Sequence, residues 1–182
     1  MKIETISLRL EKRRDVEARE RLLDAAFGDT RFAKTCERLR ETNRAAEGLS
    51  LVAVKNGRLV GTLRLWPVVT GDGRSALLLG PLAVDATERS AGIGARLMRL
   101  AIKRARRAGH KAILLVGDAP YYARFGFSTA LTRGLDLPGP VERSRFLGLE
   151  LAPGALQGAS GVLQPAAVMP LSQKPATLRL AA

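Results

Sequence analysis

Cysteine is nearly absent from this sequence, since Cys36 is the only one in 182 residues. A lone cysteine cannot form an internal disulfide, and Cys36 has no histidine or cysteine neighbours at metal-ligand spacing. We therefore predict no disulfide framework and no metal cofactor. The surrounding pattern is helical and apolar, which favours a buried structural role for the Cys36 side chain.

Aromatic residues are also scarce, at 4% of the chain. Proteins that bind single-stranded nucleic acids stack the bases on aromatic side chains, so such a platform is poorly supplied here. The longest apolar runs are far shorter than the roughly 20 residues that span a bilayer. The N-terminal stretch alternates and then becomes charged, unlike a signal peptide. These features predict a cytoplasmic protein that neither crosses nor binds a membrane.

Acidic residues are outnumbered, with 17 Asp and Glu against 30 Lys and Arg, which gives a net charge of +13. Such an excess favours polyanionic partners, including nucleic acids and multiply phosphorylated small molecules. Charge alone is a weak signal, and no groove-reading motif accompanies it. We keep nucleic-acid binding as an unfavoured alternative, which would predict steeply salt-dependent binding to duplexes.

The first half of the chain alternates between strand and helix patterns. Residues 3–10 alternate apolar and polar side chains as a half-buried strand does, and 15–27 carry an apolar helical face. A second helix is predicted to end near Gly48, from the spacing of Phe32, Cys36, Leu39 and Asn43. A β-hairpin follows, with Asn56-Gly57 suited to its type I′ turn, and then an apolar strand over 75–84.

The clearest helix is predicted over 92–108, with Gly109 at its C-terminal end. Its apolar face comprises Ile93, Leu97, Leu100, Ala101, Ala105 and Ala108. A buried strand over 110–117 and a short helix or turn follow, and beyond Thr129 short strands are broken by proline and glycine. Length and composition predict one domain over 1–171 and a loose C-terminal tail over 172–182.

Gly92 and Gly94 lie between a strand and this helix, in the sequence "ERSAGIGARLM". A strand, a short loop and a helix N-terminus together aim backbone N–H groups at an anion. The loop does not match the nucleotide-triphosphatase pattern, because no Gly-Lys-Ser/Thr follows. It also fails as a dinucleotide fingerprint, because Leu97 replaces the third glycine. Taken alone, the two glycines are equally well explained by a sterically tight turn.

Three motifs within residues 77–127 together resemble the GCN5-related N-acetyltransferase (GNAT) superfamily. They are "GPLAV" before the loop, the acyl-CoA signature carried by Arg89, Gly92 and Gly94, and "YYARFGF" near the end. Among GNAT proteins they look most like a bacterial branch of predicted acetyltransferases. The resemblance implies an α/β (α+β) fold, a mixed and mainly antiparallel sheet flanked by helices. It also implies acetyl-CoA as cosubstrate.

The resemblance places the coenzyme on named residues. The N–H groups of the loop would cradle its pyrophosphate, with Arg89 shaping the loop; these residues are Ser90, Ala91, Gly92, Ile93, Gly94 and Ala95. The backbone of Leu82, Ala83 and Val84 would pair with the pantetheine arm, which enters where this strand splays from the next. Arg124 matches a position that is often basic in the family and would lie near the outer phosphates.

The resemblance also implies that Tyr122 donates a proton to the departing thiolate. A phenol with a pKa of about 10 is protonated at neutral pH and can do this. The alternative is a packing residue whose hydroxyl binds the sulfur without transferring a proton. No acid lies within the central strand, and we interpret the nearby Asp85, Glu88 and Asp118 as turn or capping residues rather than the general base. A water chain is the other candidate.

The favoured function is thus direct transfer of an acetyl group from acetyl-CoA to an amine, without a covalent enzyme intermediate. The alternative is a non-catalytic acyl-CoA-binding or sensor module of the same fold. The acceptor amine has no recognisable motif, although a basic surface tilts the expectation towards neutral or acidic acceptors. The sequence does not fix the oligomeric state, and a homodimer is the commonest assembly among soluble oligomers.

Overall fold

The computed structural model describes residues 5–166, so the predicted tail over 172–182 and the end of the predicted domain lie outside the described residues. The described strands are β1 (Ile6–Leu10), β2 (Ser50–Lys55), β3 (Arg58–Val69), β4 (Ser75–Val84), β5 (Ala112–Val116), β6 (Leu135–Asp136), β7 (Phe146–Glu150), β8 (Gly161–Val162) and β9 (Gln164–Pro165). The α-helices are α1 (Val16–Phe27), α2 (Ile93–Arg107) and α3 (Ala119–Ala123).

The main sheet has seven strands, in the order β1-β2-β3-β4-β5-β7, with β9 pairing to β3. Its β4–β5 contact is parallel and the other pairings are antiparallel. This mixed, mainly antiparallel sheet flanked by helices confirms the predicted fold class. The short strands β6 and β8 form a separate parallel pair.

The segment after α1 departs from the prediction of a single second helix. It forms two short 3₁₀ helices, Asp29–Ala33 and Thr35–Leu39. Lys34 separates them with extended backbone (φ −71°, ψ 140°), so the hydrogen-bond ladder of one helix cannot continue. Asn43 lies beyond both, where its side-chain amide donates to the carbonyls of Leu39 and Pro67. Of the spaced residues, Leu39 is buried and Cys36 partly buried, whereas Phe32 is exposed, so they do not form one apolar helix face.

The predicted hairpin is confirmed, because Asn56 and Gly57 both have positive φ (50° and 79°) between β2 and β3. Farther along, the β3–β4 register shifts: Leu63 pairs with Leu82, but Leu65 pairs with Leu79. Gly80 and Pro81 therefore form a bulge in β4, and Trp66 Nε1 donates to the Gly80 carbonyl at 2.6 Å. Such bulges re-aim a strand next to a site.

Strands β4 and β5 separate soon after they meet. They pair only at Leu77–Ile113 and Leu78–Leu114. Beyond that point β5 continues to pair with β7, whereas the β5-facing edge of β4 has no strand partner among residues 5–166. The predicted splay between these strands is therefore present, and it opens a gap in the sheet.

Helix α2 packs its apolar face on β3, β4 and the hairpin. Its fully buried residues are Ile93, Leu97, Met98, Ala101 and Ala105, whereas Ala108 of the predicted face is exposed. Gly61 of β3 permits this close approach, because a Cβ there would lie 3.0 Å from Ile93 Cγ2 and 3.1 Å from Leu97 Cδ1. Burying each large apolar side chain contributes about 1.5–3 kcal/mol. The packing fixes the N-terminal end of α2 beside the end of β4.

Candidate active site

The glycine loop lies at the N-terminal end of α2 and turns through left-handed backbone. Ser90 and Gly92 have φ of 75° and 70°, and Gly92 immediately precedes the helix. The first intrahelical bond runs from Arg96 N–H to the Gly92 carbonyl, and within the described chain the N–H groups of Ile93, Gly94 and Ala95 have no acceptor. No acidic side chain stands in the first turn. These free N–H groups can donate hydrogen bonds to an anion.

Gly94 lies where the loop, β4 and α3 meet. A Cβ at this position would be 3.1 Å from the Tyr121 hydroxyl and 3.7 Å from Val84 Cγ2. The absence of a side chain therefore lets the Tyr121 hydroxyl and Val84 pack directly against the loop. The structure brings together Val84, Gly94 and Tyr121, which lie far apart in the sequence.

A cavity of about 600 Å³ fills the gap between β4 and β5. Leu82, Tyr121 and Tyr122 line it, as do the Gly80-Pro81 bulge and the end of β5. The side chain of Ala83 points elsewhere, into a cluster with Leu22 and Leu23 of α1. The residues of the glycine loop lie outside the cavity, at the surface near its β4 end.

Tyr122 is held rigidly against the cavity wall. Its ring covers Gly117 so closely that a Cβ there would overlap the Tyr122 ring carbons. The Tyr121 ring packs edge-on against it, with centroids 5.0 Å apart. Burial raises the pKa of Tyr122 to about 12, above the value of about 10 expected from the sequence, although nearby Arg145 opposes the shift. The Tyr122 phenol is therefore a protonated hydrogen-bond donor at neutral pH.

Arg124 lies just beyond α3 and outside the cavity. Its Nε donates to the Tyr121 carbonyl at 2.9 Å, and its guanidinium carbon lies 4.3 Å from the Tyr121 ring centroid. The side chain is exposed on the same tyrosine that borders Gly94. Arg89, also exposed, forms no ion pair within residues 5–166. Both cations are thus available near the loop.

The acids considered from sequence separate into two groups. Asp85 pairs with Arg58 at 2.6 Å, and Glu88 with Lys55 at 3.1 Å, both at the outer end of β4. Hydrogen bonds from Thr87, reinforced by Arg58, lower the pKa of Asp85, so it is a poor proton acceptor. Asp118 does line the cavity, but it caps α3 by accepting from Tyr121 N–H at 3.2 Å.

Sequence reasoning missed several residues that line the same cavity: Glu37, Arg40, Glu142 and Arg145. They come from the 3₁₀ segment and from the loop before β7, where no periodic pattern marks them. Cys36 lines the cavity too; it is partly buried and packs against the apolar cluster that contains Leu39, so the buried role expected for it holds only in part. Burial raises the pKa of the Cys36 thiol. Over the described part of the chain, no three His, Cys, Asp or Glu residues cluster to hold a metal ion.

This geometry agrees with comparisons to known proteins. The model of the acetyltransferase (GNAT) family matches residues 16–127. The chain belongs to this family. It is 30% identical over 158 residues to the Escherichia coli N-acetyltransferase YhbS, which itself is named as uncharacterised, covering 86% of this chain and 94% of that protein. It is 35% identical over 133 residues to E. coli YjhQ, another uncharacterised N-acetyltransferase, covering 70% of each chain.

Solved structures of GNAT proteins share the fold. The crystal structure of E. coli YhbS in complex with CoA has a TM-score of 0.75 and 28% identity, covering 91% of this chain and 92% of that one. A GNAT acetyltransferase from Brucella melitensis in complex with acetyl-CoA has a TM-score of 0.69 and 26% identity, covering 91% and 98%. Within residues 5–166, no helix is long and apolar enough to cross a membrane.

Proposed function

We propose that this protein transfers an acetyl group from acetyl-CoA to an amine. One observation carries the proposal: an unpaired helix N-terminus opens beside a cavity that separates β4 from β5 and contains a buried tyrosine. Phosphates bind readily at such helix ends. A thioester arm that continues from the loop along β4 reaches the cavity at Leu82. The CoA and acetyl-CoA bound in the two solved relatives support the same coenzyme here.

The coenzyme would make two kinds of contact: its pyrophosphate would bind as an anion, and its pantetheine arm would pair with β4 as a strand does. Its pyrophosphate accepts from the N–H groups of Ile93, Gly94 and Ala95, with Arg89 and Arg124 adding positive charge. Its pantetheine amides pair with the unpartnered β5-facing edge of β4 at Leu82–Val84. Pro81 has no N–H, so donors on this edge begin at Leu82. Gly94, against which Val84 and Tyr121 pack, lies beside both of these contacts.

In the reaction, a neutral amine attacks the thioester carbonyl carbon. The C–N bond forms, the C–S bond breaks, and the amine loses its proton to water or to a carboxylate of the cavity. Tyr122 then donates its phenolic proton to the thiolate and is reprotonated from solvent. Its pKa of about 12 reflects desolvation. The same desolvation raises the pKa of the thiol that forms beside it, so both partners in the proton transfer shift in the same direction.

The proposal is tested by calorimetric titration with acetyl-CoA. A Gly92→Glu variant places a carboxylate where the pyrophosphate would bind, and we expect roughly 100-fold or greater loss of affinity. Gly109→Glu is the matched control. Gly109 flanks the opposite, C-terminal end of α2, also has positive φ (83°), and likewise has no atom within 4 Å of an added Cβ. Backbone strain is therefore similar in both variants.

Wild-type binding that survives in Gly109→Glu and is lost in Gly92→Glu would support the phosphate cradle. Equal losses in both variants would assign the effect to strain. Failure of the wild-type protein to bind acetyl-CoA would overturn the proposed function.

A further inference from the structure

Arg40 brings a buried positive charge to the cavity wall, beside the bulge in β4. It follows the second 3₁₀ helix, and its side chain is 12% exposed. The guanidinium lies under the β4 bulge, with Nη2 3.0 Å from the place where a Cβ on Gly80 would be. Gly80 thus makes room for the Arg40 guanidinium at the point where the strand bends.

The charge of Arg40 is poorly compensated. Its one carboxylate contact in the described structure is Glu37 Oε2, at 3.4 Å from Nη1. Its Nε is buried and has no hydrogen-bond partner within residues 5–166. Burial lowers the pKa of Arg40, because desolvation outweighs the attraction of Glu37. A buried cation with an unmade hydrogen bond is costly to the fold unless a ligand completes it.

Arg64 provides an internal contrast. Its side chain is also largely buried, at 22% exposed, but both Nε and Nη2 donate to the carboxylate of Glu11, at 2.9 and 2.6 Å. Both of these Arg64 donors are therefore satisfied by a carboxylate within the protein. Arg40 lines the cavity, but its buried Nε has no such acceptor within residues 5–166.

Other cations line the same cavity without acidic partners. Lys34 and Arg145 form no ion pair within the described chain, and Lys34 Nζ lies 4.6 Å from the Phe27 ring centroid. Two of the cavity's acids have polar partners already. Asp118 caps α3, and Glu142 accepts from Ser144 Oγ at 2.6 Å. The lining therefore holds acids as well as cations, and Arg40 is set apart among the cations in the described chain by its buried Nε without an acceptor.

We propose that Arg40 binds a carboxylate of the acceptor, so that the acceptor is a small molecule bearing both an amine and a carboxylate. A planar guanidinium binds a carboxylate through two parallel hydrogen bonds, and the unpartnered Nε of Arg40 supplies one of the two donors once a carboxylate reaches it. The amine of such an acceptor points towards the thioester side of the cavity. The product is an N-acetylated acid. This inference rests on the proposed acetyl transfer.

The test uses α-, β- and ω-amino acids, each paired with its primary carboxamide. Each amide keeps the amine and nearly the same size but removes the negative charge. Release of CoA from acetyl-CoA is followed with wild type, Arg40→Gln and Arg40→Lys. Arg44→Gln is the matched control, because Arg44 is exposed nearby and forms no ion pair within residues 5–166. Acetyl-CoA affinity and melting temperature are measured for each variant.

We expect at least one acid to be acetylated with a kcat/KM at least about tenfold above that of its amide. That preference should fall below about threefold in Arg40→Gln, recover in part in Arg40→Lys, and persist in Arg44→Gln. Acetyl-CoA affinity should stay within twofold in every variant.

Acids and amides acetylated equally well would overturn the inference, as would a loss in Arg40→Gln that is the same for both members of each pair. Should Arg40→Gln fail to fold, Arg40→Lys decides: an unchanged preference for the acid would overturn the carboxylate contact. If wild type binds acetyl-CoA but acetylates no acid in the panel, the acceptor class is wrong while the coenzyme site stands. If acetyl-CoA does not bind, the proposed function itself fails.

Discussion

The two walls of the cavity are built in different ways. The coenzyme segment, residues 75–127, is one continuous stretch that contains β4, the glycine loop, α2, β5 and α3. The acceptor wall, residues 31–40 and 138–145, joins two pieces that are about a hundred residues apart. Thr35 Oγ1 donates to the Pro140 carbonyl at 2.7 Å, and Arg38 Nη1 donates to the Pro138 carbonyl at 2.7 Å.

This difference separates the residues proposed to bind the coenzyme from those proposed to select the amine. In the proposed function, the coenzyme segment binds acetyl-CoA mainly through backbone groups, which depend little on the identity of the side chains. The acceptor wall relies on charged side chains brought together by the tertiary fold. Variants in the first region should therefore alter coenzyme binding or the chemical step, whereas variants in the second should alter selection of the amine.

The largest effect should come from Tyr122→Phe. Removing the phenol takes away the proton donor, so turnover should fall roughly 100-fold or more while acetyl-CoA affinity stays within twofold. Tyr121→Phe is the control, since that ring is in edge-on contact with Tyr122 but is not assigned the proton. Initial rates with an acetylated acceptor and calorimetry separate the two quantities.

The pH profile sharpens the same prediction. Because burial raises the pKa of Tyr122 to about 12, the proton donor stays in its active form as the pH rises through 10, and turnover should show no tyrosine-dependent loss there. Unchanged turnover in Tyr122→Phe would show that Tyr122 is a packing residue, and complete absence of turnover in wild type would favour an acyl-CoA sensor.

A smaller effect should follow Gly94→Ala. The added methyl group would lie 3.1 Å from the Tyr121 hydroxyl, so either Tyr121 or the loop with the N–H groups proposed to hold the pyrophosphate must shift. We expect acetyl-CoA affinity to fall about tenfold. The double variant with Tyr121→Phe should recover part of this loss, because it removes the crowded oxygen. Absence of any recovery would place the obstruction elsewhere.

The smallest effect should come from Thr35→Val in the acceptor wall. Valine keeps the shape but removes the hydrogen bond to the Pro140 carbonyl, which is worth about 0.5–1.5 kcal/mol. The acceptor KM should rise about threefold while the Kd for acetyl-CoA is unchanged. An equal change in both constants would contradict the division of the cavity into two walls. Thr129→Val, remote from this contact, is the control.

The contrast between a continuous segment and a wall joined from distant pieces also decides which features the sequence could predict. The hairpin at Asn56-Gly57, the glycine loop and the position of Tyr122 depend on neighbouring residues, so local pattern and resemblance could locate them. Arg40 could not be found in this way. It follows a segment whose apolar spacing imitates one helix, and its importance arises only because the β4 bulge at Gly80 lies above it.

The burial of individual side chains, and the pKa shifts that follow from it, also could not be predicted from the sequence. The rise in the pKa of Tyr122 depends on its cover by neighbouring residues, including its close contact with Gly117. The placement of Asp85 among capping and pairing contacts agrees with the role expected for it. Cys36 is an intermediate case, since its side chain packs against apolar residues as its context suggested, while the fold also brings it to the cavity.

The most direct test of the account is a crystal structure of this protein with acetyl-CoA. We predict pyrophosphate oxygens at about 3 Å from the N–H groups of Ile93, Gly94 and Ala95, pantetheine along the β5-facing edge of β4, and the thioester sulfur beside the Tyr122 hydroxyl. A coenzyme bound away from the glycine loop, or one whose thioester lies outside the gap between β4 and β5, would contradict the account.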